Sequence, residues 1–349
     1  TPRSSRTLVR LVPFLSIRLI LTNMSGSEAS AFWVVAPGQG ELRTAPLPAV
    51  QPGEVLVRTL FSGVSRGTEA LVFRGEVPPA EHARMRAPFQ EGEFPGPVKY
   101  GYANVGVVEQ GPGALEGKTV FCLYPHQTRF VVPATAVHVL PDSIPAGRAV
   151  LAANLETALN GFWDAGLQPG DRVAVIGAGV VGSLVAWLAR AAGFDVELID
   201  INPQREALAT ALGVAFSTPS AALANRAQQF DKIIHASGAP AGLLLALNLA
   251  AFEATVIEMS WYGSKRVSLP LGEAFHALRL TLKSSQVGSI APSHRATWSH
   301  ARRLARVMEL LADERLDVLV NSESAFADLP AVMPRLAAGG DVLCHRVIY

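Results

Sequence analysis

The chain has 349 residues, enough for two domains that each bury a core. An apolar fraction of 49% with 17% charged residues is an ordinary globular composition and excludes a disordered chain. A formal net charge of +1 gives no electrostatic basis for a nucleic-acid partner, and two cysteines, Cys122 and Cys344, build neither a disulfide framework nor a four-cysteine zinc site.

Residues 1–23 carry arginines, no acid and a short apolar run that Arg18 interrupts, with no A-x-A site after it. They read as an unstructured extension, too short and too charged for a membrane helix, with Met24-Ser25-Gly26 as the start ahead of a first strand over 31–35. From there to about Leu140 the chain is broken by Pro and Gly into short strand-like runs at 54–60, 106–109, 118–123 and 129–132, the spacing of an all-β, barrel-like domain. From about Ala149 helices alternate with apolar strands at 171–176, 196–199, 232–235 and 254–259, as in a parallel sheet. The apolar run 243–251 is too short to span a membrane. An amphipathic helix is predicted over 295–313, with Leu304, Met308 and Leu311 on one side. A last strand at 342–348 suggests that the chain returns to its first domain. The expected division is 24–148 with 290–349 for the β domain and 149–289 for the nucleotide domain. The expected setting is the cytoplasm, without a membrane.

Residues 173–205 hold the most specific pattern. A buried-strand run leads into Gly177, Gly179 and Gly182, spaced G-x-G-x-x-G, then a helix over 180–192 and a second strand ending in Asp200. Gly177 permits the tight turn, Gly179 presents no Cβ to a pyrophosphate, and Gly182 lets helix and strand approach. The amides at the helix start, including those of Val180 and Val181, then face the phosphates. Asp200 stands where a carboxylate accepts hydrogen bonds from the adenosine ribose and repels a 2′-phosphate, which predicts NAD(H) over NADP(H). Asn202 and Arg205 suit the same ribose pocket, although Arg205 softens that repulsion.

A β-rich domain followed by a nucleotide fold resembles the medium-chain dehydrogenase/reductase superfamily. Ser62-Gly63-Val64-Ser65-Arg66-Gly67-Thr68-Glu69 is similar to its S-G-I-C-G-T-D segment. Residues 97–106, with Gly101-Tyr102-Ala103, are similar to its P-x-x-x-G-H-E-x-x-G segment, and 167–173 to its L-x-x-G-D-x-V lead. The resemblance implies a discontinuous GroES-like barrel plus a Rossmann doubly wound domain (an α/β architecture), and a homodimer through the edge of the nucleotide-domain sheet. The wording S-G-V-S-x-G-T-E and the Gly-Tyr pair are most similar to the bacteriochlorophyllide a dehydrogenase-like branch. Residues 76–90 are an added segment near the substrate cleft and depart from that branch.

The positions that hold catalytic zinc in alcohol dehydrogenases of the superfamily are Ser65 (or Arg66), Tyr102 and Ala153 here, none of them a thiolate or imidazole, so no zinc is expected. Without it, hydrogen-bond donors must stabilise charge on the substrate oxygen. Tyr102 is the first candidate, its alternative being an aromatic that fills the vacated volume. Thr68 matches a proton-relay hydroxyl or caps a helix. Tyr124 and His126 fall where the superfamily lines its substrate pocket, with His126 a candidate acid–base group or a surface histidine. Ser65 and Glu156 complete the candidate pocket, Glu156 being either a site acid or the buried partner of an arginine. Thr157, Val287 and Gly288 match positions beside the nicotinamide, and Ser237 one on the cofactor path. Arg84 and Arg86 are either anion contacts or solvated. The implied function is a zinc-independent NAD(H)-dependent oxidoreductase acting on a small molecule by alcohol–carbonyl interconversion. Quinone/enoyl-type C=C reduction and non-catalytic NAD(H) binding are the alternatives.

Overall fold

Runs of Val, Ile and Leu at Arg172–Ile176, Asp195–Ile199, Phe230–His235 and Ala250–Glu258 are buried on both faces, as a parallel sheet covered by helices requires. The computed structural model describes residues 28–349, so the expectations for residues 1–23 and for Met24 lie outside the described residues. With Ala215–Ser217 and Thr281–Ser284, these strands form a six-stranded, all-parallel sheet. Its order is 215–217, 195–199, 172–176, 230–235, 250–258, 281–284. The order reverses between Arg172–Ile176 and Phe230–His235, and a ligand crevice opens at such a reversal. Two of these strands, Ala215–Ser217 and Thr281–Ser284, escape the sequence pattern because they are short and partly exposed.

The first part of the chain builds the β domain. Glu28–Ala36 pairs with Gln39–Pro46 and with Val98–Lys99, and Glu54–Val64 lies inside a seven-stranded sheet. The last strand, Cys344–Ile348, runs antiparallel to Glu54–Val64 and places Val347 opposite Ser62. The end of the chain thus joins the sheet built by the first part of the chain.

One helix differs from its predicted bounds. The helix expected over 295–313 is His300–Leu310, because the Ser299 hydroxyl accepts the Arg302 amide and caps it there. Residues 292–297 form turns instead. Leu304, Met308 and Leu311 are buried as expected and share a core with the helix Ala152–Ala165.

Candidate functional site

The glycine turn sits at the sheet reversal. Gly177 has φ 105°, and a Cβ on it would lie 2.7 Å from the Ser237 Cα. A Cβ on Gly182 would lie 1.9 Å from the Gly177 carbonyl oxygen, so the helix Val180–Ala191 approaches the strand only because residue 182 is glycine. Gly179 faces open space, with nothing within 4 Å of a Cβ built there. It lines a cleft of about 980 Å³ together with Gly177, Val180 and Val181.

Asp200, Asn202 and Arg205 border the same cleft. The Asp200 carboxylate accepts the Ala178 amide at 2.7 Å and the Asn202 amide at 2.8 Å. These bonds fix its orientation and leave its other lone pairs for a ligand. The Arg205 guanidinium donates to the Asp341 carbonyl at 3.1 Å, and that of Arg66 donates to the Gly340 carbonyl. Burial, then the nearby Arg205 charge, lowers the Arg66 pKa. Ile201, beside Asp200, lines the cleft while 85% exposed.

The β domain contributes Ser65, Thr68 and Tyr102. Ser65 immediately precedes the helix Arg66–Phe73, and its amide donates to the Glu69 carboxylate at 2.7 Å. The Ser65 hydroxyl donates to Asn154 at 3.0 Å. Burial, then the Glu69 charge, pushes the Tyr102 phenol up to about 12, against the pull of the Ser65 and Thr68 hydroxyls. Ala153 is buried one residue before the cleft-lining Asn154. Two hydroxyl groups and a methyl at the zinc-ligand positions do not fit tetrahedral N/S coordination.

Several expected site residues lie elsewhere. His126 is not at the cleft: it is 2% exposed, with one ring nitrogen 2.8 Å from Glu69 and the other 2.7 Å from the Ser62 hydroxyl. Both ring nitrogens are engaged there, so the ring presents neither of them to the cleft. Tyr124 does not line the cleft either. It stacks on Phe130 at 3.9 Å between ring centres and borders a separate cavity of about 500 Å³ beside Lys99. Glu156 is the buried partner of an arginine, 3.0 Å from Arg303, whose guanidinium also reaches the Val287 carbonyl at 2.7 Å. Val287 and Gly288 do not line the cleft. The Val287 carbonyl is taken by Arg303, and the Gly288 amide donates to the side chain of its neighbour Gln286. Thr157 borders the cleft but spends its hydroxyl on the Ala153 carbonyl, 3.0 Å away. Arg84 and Arg86 are in local ion pairs with Glu81 and Glu93, and no residue of the 76–90 segment lines the cleft.

Sequence reasoning missed Glu69, whose signal was an acid at the head of an otherwise apolar helical run, Ala70 to Phe73. It also missed Asn154 and Met259, which line the cleft and whose residue types carry no such signal.

The model of the alanine dehydrogenase/PNT C-terminal domain matches residues 156–247. A 2-desacetyl-2-hydroxyethyl bacteriochlorophyllide A dehydrogenase from Rhodobacter capsulatus is 31% identical over 211 residues, covering 54% of this chain and 60% of that protein. The chain spans between 27% and 60% of the length of the first curated relatives it matches. Among solved structures, a putative zinc-binding dehydrogenase from Sinorhizobium meliloti 1021, bound to NADP, superposes with a TM-score of 0.73 at 21% identity. That match covers 93% of this chain and 100% of the other. A structure described as a short chain alcohol dehydrogenase from Escherichia coli CFT073, complexed with NADH, gives 0.73 at 17% identity over 93% and 100%. At these identities the superpositions speak for the fold alone. With the glycine turn, the sheet order and the returning last strand, they show that this chain shares the two-domain α/β fold of these dehydrogenases.

Proposed function

We propose that this protein is an NAD(H)-dependent oxidoreductase that interconverts an alcohol and a carbonyl by hydride transfer without a catalytic zinc. The observation that carries this reading is one cleft shared by two sets of groups. The glycine turn and Asp200 come from the nucleotide domain, and the hydroxyls of Ser65, Thr68 and Tyr102 from the β domain. When bound, the nicotinamide supplies the carbon that takes or gives the hydride.

The remaining work belongs to side chains and amides. The open face of Gly179 and the amides at the start of the helix Val180–Ala191 receive the pyrophosphate. The oriented Asp200 carboxylate accepts ribose hydroxyls and repels a 2′-phosphate, which favours NAD(H). Tyr102 is neutral at ordinary pH because its phenol is pushed up to about 12. It therefore acts as a donor. In the reducing direction it hydrogen-bonds the carbonyl oxygen and gives that oxygen its proton, while the adjacent Ser65 and Thr68 hydroxyls stabilise the phenolate.

The test is an NADH titration by fluorescence followed by turnover of a ketone and an enone panel. Ketone turnover supports the reading, and turnover of enones alone replaces it with C=C reduction. Cofactor binding without turnover, insensitive to Tyr102→Phe and Thr68→Ala, replaces it with a non-catalytic role. The assembly consistent with the fold is a homodimer joined along the edge strand Thr281–Ser284, where Leu282 is exposed; light scattering on a sizing column tests it.

A further inference from the structure

The turn after the strand Phe230–His235 carries a hydrogen-bonded chain that the reaction above does not use. The Ser237 Oγ lies 2.5 Å from Nε2 of His235, and Nδ1 of the same ring lies 2.8 Å from a Glu258 carboxylate oxygen. Glu258 also accepts the Tyr262 hydroxyl at 3.0 Å and the Ser260 amide at 2.7 Å. The imidazole is fully buried, whereas Ser237, Ser260 and Tyr262 line the cleft.

Donor and acceptor roles follow from this arrangement. Burial pushes the Glu258 carboxyl up, but hydrogen bonds from His235 and Ser260 hold it below its usual range, so it is ionised and only accepts. Nδ1 then carries the hydrogen given to Glu258, which leaves Nε2 to take the Ser237 hydroxyl hydrogen. The Ala239 amide donates to the same Oγ at 3.2 Å. One lone pair of Oγ remains, and Ser237 meets a ligand as an acceptor. A Cβ on Gly242 would lie 2.4 Å from this Oγ and 2.6 Å from Nε2, so the helix Pro240–Leu249 leaves the pair its space at that one residue.

Resting on the NAD(H) reading, we propose that His235, Glu258 and Tyr262 are positioning residues that lock Ser237 as the acceptor for a ribose hydroxyl of the dinucleotide. A ribose hydroxyl can donate to that lone pair, whereas an ionised phosphate oxygen cannot. Without Nε2 as its acceptor the serine hydrogen is free to turn toward the cleft, and the ribose hydroxyl then loses the lone pair it donates to.

The experiment measures NADH dissociation constants by fluorescence on the whole protein at neutral pH. The parent, His235→Gln, Glu258→Gln and Ser237→Ala are compared, with each of the first two also combined with Ser237→Ala. Ser237→Ala should bind about two- to tenfold more weakly than the parent, and His235→Gln and Glu258→Gln should weaken binding in the same range with no further loss in the combined variants. Ser237→Ala leaves the buried ring in place and decides the matter if His235→Gln does not fold. Losses that add in full in the combined variants, or a Ser237→Ala affinity equal to the parent's, overturn this inference and leave the cofactor reading standing. A parent that binds neither NADH nor NADPH overturns both.

Discussion

Nε2 of His126 lies 2.8 Å from a carboxylate oxygen of Glu69, and both side chains are buried behind the cleft. The other Glu69 oxygen takes the Ser65 amide, and Nδ1 of His126 faces Ser62, whose hydroxyl lies 2.9 Å from that of Tyr349. The pair therefore ties the helix Arg66–Phe73 to the segment around His126 and to the end of the chain. Removing one member of a buried, hydrogen-bonded pair costs about 3–5 kcal/mol. His126→Ala should lower the urea midpoint accordingly with little change in slope. Parental stability combined with lost turnover would instead return His126 to catalysis.

In the proposed mechanism Tyr102 donates to the developing charge on the substrate oxygen. Loss of one such donor costs about 10²- to 10³-fold in kcat. Tyr102→Phe should show that loss with an unchanged NADH dissociation constant. A variant with parental kcat would make Tyr102 a space-filling residue.

In the proposed reading Asp200 carries the preference for NAD(H). Asp200→Ala removes both the ribose acceptor and the charge that opposes a 2′-phosphate, while Arg205 and Arg66 remain nearby. NADH binding should weaken about tenfold or more, as expected for lost hydrogen bonds to a charged group, and NADPH should bind comparatively better. Equal affinities in parent and variant for both cofactors would refute this account of the ribose pocket.

His345 sets an acid limit on stability. Its ring, 2.9 Å from both the Ser322 and Ser324 hydroxyls, has its pKa lowered from 6.5 to about 4, first by burial and then by His126 and Arg335. The folded state thus holds this histidine neutral while the unfolded chain protonates it. Its contribution is complete above about pH 6.5 and is lost as the pH falls toward about 4. Thermal melts of the parent should drop across that window, and His345→Gln should flatten the drop. Parallel curves for parent and variant would show that other groups set the acid limit.

Gly182→Ala puts a methyl 1.9 Å from the Gly177 carbonyl oxygen, which is backbone and cannot rotate away. Helix and strand must separate, so both the melting temperature and NADH affinity should fall. Gly179→Ala meets no protein atom, so it should weaken NADH binding while leaving the melting temperature unchanged. Equal effects of the two substitutions on stability would show that the close approach at residue 182 is not what holds the turn.

Read alone, the sequence determined the central strands of the parallel sheet and the turn. The apolar runs around Val173, Val196 and Ile233 are continuous because their strands are buried on both faces, and a G-x-G-x-x-G turn ending in Asp200 needs only local spacing to be recognised. The last strand was legible as a strand, while its pairing with Glu54–Val64 is a tertiary contact. What lines the cleft was decided by the tertiary structure. Glu156 met Arg303 across 147 positions, and His126 met Glu69 across 57. Whether an ionisable side chain in an apolar stretch faces a ligand or a buried counter-charge depends on which distant group folding brings to it. A buried charge must find such a partner, and no local pattern records which one it finds.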